Sequence, residues 1–201
     1  MNNILRLHIP LIGVRSKWLL RLACASLIFN LQFSILNSAQ GQVKWNTIEQ
    51  ASQAKIGTKM YFIDFYTDWC GYCKKMDRQT FSDATVAEIL NKYYYPVKFN
   101  AEGNSIVKWR GNTYNPVSNG RNRVHQFALA TLGSQMGFPT FALFRADGTL
   151  LQTIPGFYPA QDFIVILWYF ASGDCDRYPF DRYQRIFDKE IRPKMNEALK
   201  K

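Results

Sequence analysis

Met60-Tyr61-Phe62-Ile63-Asp64-Phe65-Tyr66-Thr67-Asp68-Trp69-Cys70-Gly71-Tyr72-Cys73 is the stretch from which the fold can be read. Its first half, Met60 to Tyr66, is aromatic and β-branched and has the length of a strand buried on both faces. Its second half sets two thiols three positions apart where that strand gives way to a helix, since Lys74, Lys75, Met76 and Arg78 suit a helix that starts within the pair. Two cysteines so placed can open and close a disulfide without moving the scaffold around them.

Working outward from that stretch, Asn46 to about Lys55 reads as a capped amphipathic helix closed by Gly57. On the other side, Thr80 to Lys92 predicts a helix with Val86, Ile89 and Leu90 on one face and Ser82 and Asp83 as capping candidates. Tyr94 to Asn100 predicts a second strand, with Pro96 tolerable near its start or at a sheet edge. Residues 101–123 are rich in Gly, Asn, Ser and Pro and read as an irregular insertion, with a short hairpin from Ile106 to Tyr114 turning at Gly111-Asn112. Helical spacing returns from Val124 to Met136. Thr140 to Arg145 and Leu150 to Ile154 form a hairpin about Asp147-Gly148, and Pro159 to Phe170 an apolar helix with proline in its first turn. A charged and aromatic extension, 172–201, holds one further helix from Pro179 to about Ile191. The sum is α/β: a mixed sheet with helices on both faces.

The chain has 201 residues, 47% of them hydrophobic, enough for one domain with a substantial core. Its formal charge of +10 comes partly from Arg6, Arg15, Lys17 and Arg21, in a stretch without acidic residues. Beyond residue 41 the 25 basic side chains fall to 21 against 15 acidic, or +6, scattered as on a soluble surface and without the basic, aromatic-studded stripe of a nucleic-acid binder. The basic region to Arg21, the apolar run Leu22 to Leu36 and the small residues Ser38, Ala39 and Gly41 read as a signal peptide over 1–41. Cleavage near Gly41 gives a chain that starts at Gln42, exported to the periplasm or envelope. Retention of Trp18 to Leu36 as an anchor, against which Arg21, Asn30 and Gln32 argue, and lipidation at Cys24 are the other readings of this stretch. Of four cysteines, Cys24 leaves with the signal, and three are too few for a disulfide framework.

At a helix start the first sulfur of Cys-x-x-Cys sits over unpaired backbone N–H groups and the positive end of the helix dipole. That lowers a thiol pKa from about 8.5 towards 7 or below, so Cys70 is the expected nucleophile and Cys73, one turn further in, the resolving thiol. A bare Cys-x-x-Cys is also compatible with half a zinc site or a structural disulfide. Zinc needs two more ligands, and Cys175 and His125 are not in a paired spacing, so no metal site is expected.

Ile63 to Lys74, with Trp69-Cys70-Gly71-Tyr72-Cys73 at its centre, resembles the active-site segment of the thioredoxin superfamily, and the similarity extends over about Tyr61 to Phe170. Within the superfamily it is most similar to exported thioredoxin-like proteins of the bacterial envelope, including the carboxy-terminal domain of the membrane electron transporter that supplies periplasmic reductant. The resemblance implies a thioredoxin fold over 42–171, a central mixed β-sheet flanked by helices, with the 101–123 insertion before the cis-proline helix and the 172–201 helical extension after the core. It implies thiol–disulfide exchange on protein disulfides without an organic cofactor. Asp64 matches the family's buried acid behind the second cysteine, where burial would raise its pKa until it could accept the proton of Cys73; an outward-facing carboxylate is the alternative. Lys98 matches the lysine that neighbours that acid, although a strand lysine more commonly faces solvent. Pro139, after Phe138, matches the cis-proline loop opposite the cysteines. Trp69, Gly71, Tyr72, Phe138 and Pro139 are the implied substrate-binding residues.

Gly71-Tyr72 replaces the Gly-Pro pair of cytosolic thioredoxins and resembles that of periplasmic disulfide isomerases, and Asp68 stands where a small residue is usual. The redox potential is open over about −270 to −120 mV, with a reductase preferred to an oxidase or isomerase. The insertion, with Trp109, Arg110, Tyr114 and Arg121, reads either as a substrate-selecting rim or as a decorated surface loop. His125 reads as a surface or capping residue, with proton transfer as the other possibility. Cys175 reads as a spectator thiol whose flanking aspartates raise its pKa, and Tyr93-Tyr94-Tyr95 as strand packing. The expected partners are disulfide-containing proteins and a membrane or envelope redox protein that returns electrons, with no nucleic acid, and with membrane contact only through the signal or an anchor. A redox-inactive binding or chaperone module and a metallochaperone using the same cysteines are the alternative functions.

Overall fold

The computed structural model describes residues 41–201 apart from 55, 56, 58, 120 and 121. The expected signal peptide, with Cys24, therefore lies outside the described residues except for Gly41, as does Arg121 of the insertion.

Chain order begins with α1 (Ile48–Gln53), where Thr47 and Gln50 form a reciprocal capping box, and β1 (Met60–Tyr66), whose five interior residues are all buried. The motif helix α2 (Gly71–Gln79) and α3 (Ala84–Tyr93) follow, then β2 (Tyr94–Asn100). The helix expected from Thr80 starts later because the Asp83 carboxylate accepts the N–H groups of both Thr85 and Val86, which fixes its first turn there. Two short antiparallel hairpins come next, β3 (Val107–Trp109) with β4 (Asn112–Tyr114), and β5 (Pro116–Asn119) with β6 (Asn122–His125). Then come α4 (Gln126–Leu132), β7 (Thr140–Phe144), β8 (Leu150–Pro155) and α5 (Ala160–Ala171).

The central sheet has four strands in the order β2-β1-β7-β8; β1 runs parallel to β2 and antiparallel to β7. Period-two alternation divides the core between its faces. Phe62, Phe141, Leu143 and Tyr94 point towards α3, α5 and the carboxy-terminal helices, while Tyr61, Ile63, Phe65, Val97 and Phe99 point towards α1, the β3-β4 hairpin and α4. Asp64 and Lys98 share the first face, and the parallel register sets them directly opposite each other. Pro96 lies on an edge strand, where its missing N–H costs nothing.

The insertion is more ordered than its composition suggests. Its first hairpin turns at Arg110-Gly111, one residue earlier than expected, with φ of 49° and 84°. Trp109 and Tyr114 are core side chains packed on Phe127. The Arg110 guanidinium meets the Tyr61 hydroxyl at the end of β1 remote from the cysteines and donates to the Ala146 carbonyl at 3.3 Å. These three residues therefore form no rim around the cysteines. The helix expected from Val124 starts at Gln126 because Val124 and His125 are taken into β6, and it stops at Gly133, with φ of 81°. His125 is buried and caps that helix: Nδ1 accepts the Phe127 N–H at 3.1 Å, which leaves Nε2 to donate to the Ser105 carbonyl at 2.8 Å. In that arrangement both ring nitrogens are occupied by structure.

The extension continues further than Ile191. After a 3-10 turn, α6 (Phe180–Ile186) passes through a π-helical turn (Phe187–Ile191) into α7 (Arg192–Lys200). Pro193 stands in the first turn of α7, directly after the wide π-helical turn that accommodates its ring. Cys175 is half-buried, and its pKa is raised, as expected, with burial ahead of Asp176 as the cause. Among the described residues no helix is long and apolar enough to cross a membrane.

Candidate active site

β1 delivers the motif. At its carboxy-terminal end the Cys70 N–H bonds the Thr67 carbonyl at 3.1 Å, closing a turn that places Cys70 as the N-cap of α2. Cys70 and Cys73 are disulfide-bonded, with Cα atoms 5.3 Å apart, and the Cys73 N–H points at the Cys70 sulfur at 3.0 Å. The sulfur at the N-cap thus holds a backbone donor and the positive end of a nine-residue helix, the surroundings that stabilise a thiolate. Both cysteines are nearly buried beneath two exposed aromatic rings, Trp69 at 68% and Tyr72 at 62% exposure. Trp69 meets Phe138 edge-on at 6.3 Å, and Tyr72 lies 6.3 Å from Phe157. Gly71, between Trp69 and Tyr72 in the chain, has nothing within 4 Å of where a Cβ would stand.

The loop holding Phe138 and Pro139 reaches the same end of the sheet because Thr140 pairs with Phe65, the last but one residue of β1. The Phe138–Pro139 peptide bond is cis. Thr140 Oγ1 donates to the Gly137 carbonyl at 2.7 Å and the Gly156 N–H to the Pro139 carbonyl at 2.8 Å, which pins the loop on both sides.

Asp64 is 1% exposed, and one carboxylate oxygen has no hydrogen-bond partner among the described residues. The other lies 3.3 Å from the Lys98 ammonium. Burial pushes the Asp64 pKa from 3.8 up to about 7; Lys98 opposes this and Asp77 adds to it. Lys98 also pairs with Asp77, which lies one turn beyond Cys73 on α2, so the α2 face carrying Cys73 and Asp77 is turned towards Asp64. The ammonium of Lys98 sits 5.3, 5.0 and 5.7 Å from the ring centres of Trp45, Tyr66 and Phe81. Rings and carboxylates together hold a strand lysine that would otherwise swing into solvent.

All nine residues named from the sequence therefore lie at one end of the fold: Cys70, Cys73, Trp69, Gly71 and Tyr72 on the motif turn, Phe138 and Pro139 on the pinned loop, Asp64 and Lys98 beneath. Sequence reading missed Asp77, Glu102 and Trp45. Asp77 had a usable signal, its i+4 spacing from Cys73 on the same helix face. Glu102, both of whose carboxylate oxygens accept the Trp69 indole N–H at 3.1 and 3.0 Å, and Trp45 reach the site only through the tertiary fold.

A sequence model of the thioredoxin-like domain matches residues 48–171, from the first residue of α1 to the last of α5. The thiol:disulfide interchange protein DsbD of Vibrio vulnificus is 27% identical over 118 residues, which is 58% of this chain and 17% of that protein. The DsbD of Salmonella typhi is 28% identical over 105 residues, 51% of this chain and 15% of that one. The chain thus aligns with about a sixth of the length of these relatives. Among solved structures, the oxidised carboxy-terminal domain of DsbD from Neisseria meningitidis is 24% identical with a TM-score of 0.40, covering 61% of this chain and 86% of that domain. A thioredoxin-fold protein from Helicobacter pylori is 17% identical with a TM-score of 0.44, covering 78% of this chain and 94% of that one.

Proposed function

The chain belongs to the thioredoxin-like domain family, and from that premise we propose that it is an exported thiol–disulfide oxidoreductase acting on protein disulfides. In its reduced form the Cys70 thiolate attacks a substrate disulfide. The substrate S–S bond breaks, one substrate sulfur leaves as thiolate, and the other remains bonded to Cys70. Asp64 accepts the proton of the Cys73 thiol, and the Cys73 thiolate attacks the Cys70 sulfur. The Cys70–Cys73 disulfide forms, the second substrate sulfur is released, and two electrons have passed to the substrate. A dithiol partner in the envelope restores the pair in the reductase direction. Trp69, Tyr72 and Phe138 flank the approaching chain, and the gap over Gly71 admits it. Because the Pro139 carbonyl is taken by Gly156, main-chain contact with substrate falls to Phe138. Lys98 supports the proton transfer through its pair with Asp64. Residues 1–41 direct export, 42–171 carry the reaction and 172–201 complete the core.

One observation carries this reading: Cys70 caps α2 with the Cys73 N–H on its sulfur, between two exposed aromatic rings. The experiment that tests it is a trap. Cys73→Ser should accumulate a mixed disulfide with a protein substrate through Cys70, while Cys70→Ser should not, and the unmodified chain should reduce insulin with a dithiol donor. Failure of both the trap and the reduction would overturn it. Equilibration of the cysteine pair with a glutathione buffer fixes the direction: a potential near −270 mV marks a reductase and one near −120 mV an oxidant.

A further inference from the structure

Beside the cysteines, on the side of the insertion, opens a groove of about 460 Å³, a size suited to holding part of a ligand. Its walls include Glu102 just after β2, Arg123 and Val124 on β6, Leu129 on α4, Met136 in the loop after α4, and Phe138. Two of these also touch the mouth of the site. Phe138 meets the Trp69 ring, and Glu102 accepts the Trp69 indole N–H, so that the residue next to Cys70 in the chain touches two of the groove's walls. Helix α4 buries Phe127 and Ala128 in the core yet leaves Leu129 at 41% exposure, turned into this groove. The Glu102 carboxylate is engaged by Trp69, whereas the exposed Arg123 brings a cation to the groove.

We propose that this groove holds the substrate polypeptide next to its target cysteine, with an apolar side chain on Leu129, Val124 and Met136 and an acidic side chain paired with Arg123. The proposal rests on the reading that Cys70 attacks protein disulfides. A chain bonded to Cys70 and running extended over Phe138 enters the groove directly, and its side chains alternate between the two sides, so neighbouring apolar and acidic residues can reach the floor and the cation respectively. A small disulfide reaches Cys70 without entering the groove. The insertion thus contributes substrate selection through β6, at the near end, while its first hairpin is committed to the core.

The test uses the full chain, reduced, and second-order exchange rates with two kinds of probe: hydroxyethyl disulfide, and single-cysteine peptides blocked as glutathione mixed disulfides, with Leu or Ser and Glu or Lys near the cysteine. The unmodified chain should favour the Leu peptide over the Ser peptide by roughly tenfold, as loss of one apolar contact implies. It should favour Glu over Lys by about two- to fivefold, the scale of an exposed ion pair. Leu129→Glu should abolish the first preference and Arg123→Glu should reverse the second, each rate being divided by that variant's rate on hydroxyethyl disulfide. Exchange with every probe but no peptide preference, or preferences untouched by both substitutions, would overturn the groove and leave the exchange chemistry standing. No exchange even with hydroxyethyl disulfide would overturn the chemistry and the groove with it.

Discussion

Asp64 carries the largest electrostatic tension in the site, because its carboxylate is buried and has only part of a lysine to offset the loss of water. With a pKa raised from 3.8 to about 7, the folded state holds a proton that the unfolded state has already released between those two values. Stability from this group is therefore complete below pH 4, is lost as pH rises through about 7, and at higher pH leaves a deficit on the order of 4 kcal/mol at 1.36 kcal/mol per pH unit. Asp64→Asn should accordingly stabilise the oxidised protein by up to ~4 kcal/mol at pH 8 and by almost nothing at pH 4, as read from urea unfolding at the two pH values. The same substitution should slow release of the mixed disulfide, since Cys73 loses its proton acceptor. Asp77 competes for Lys98 and adds a second negative charge, so Asp77→Asn should move the Asp64 titration to lower pH, seen as an acid shift of the carboxyl signal in a ¹³C NMR titration. An unmoved titration would show that the exposed Asp77 carboxylate is screened from the buried acid.

Elements differ in how openly the sequence announces them, and the reason is where their partners lie. β1 and β2 were legible to the residue because a run of apolar and aromatic side chains needs no other segment to identify it, and the motif turn follows from β1 by chain connectivity. The placement of Asp64 beneath the motif came from a resemblance; periodicity alone leaves a strand carboxylate free to face either way. The insertion was least legible, since its first hairpin is held by contacts with distant residues: Trp109 on Phe127 and Phe144, Arg110 on Tyr61 and Ala146. One glycine tests that long-range hold. Gly148, in the β7-β8 turn, has φ of 88°, and a Cβ there would come within 2.7 Å of Arg110 Cγ. Gly148→Ala should cost about 1 kcal/mol from the backbone conformation alone and more from the contact. In an Arg110→Ala background only the backbone share should remain, so a double-mutant cycle over thermal unfolding separates the two. A cost that stays the same in both backgrounds would mean that the arginine yields freely and does not fix the turn.

At the scale of the whole molecule, the family match ends with α5 but the core does not. Tyr183, Phe187, Ile191 and Met195 belong to the same buried cluster as Phe62, Phe141 and Phe163, on the sheet face that carries Asp64. Tyr169 at the end of α5 donates to the Tyr178 carbonyl, and the Lys92 ammonium at the end of α3 caps the Ala198 and Leu199 carbonyls at 2.9 and 3.0 Å. The extension is thus a part of the hydrophobic core that happens to come last in the chain. Phe187 is buried and packs on Tyr183, so Phe187→Ala should cost about 3–5 kcal/mol, a large share of the 5–15 kcal/mol that holds a typical domain together. Removal of residues 177–201 should expose α5 and leave a chain that unfolds below room temperature or aggregates, even though every residue of the family match and of the cysteine site is retained. Circular dichroism melts of the oxidised full chain, the Phe187→Ala variant and the truncated chain decide the point. A truncated chain that melts cooperatively near the full-length temperature would show that residues 48–171 fold by themselves and that the extension serves some purpose other than stability.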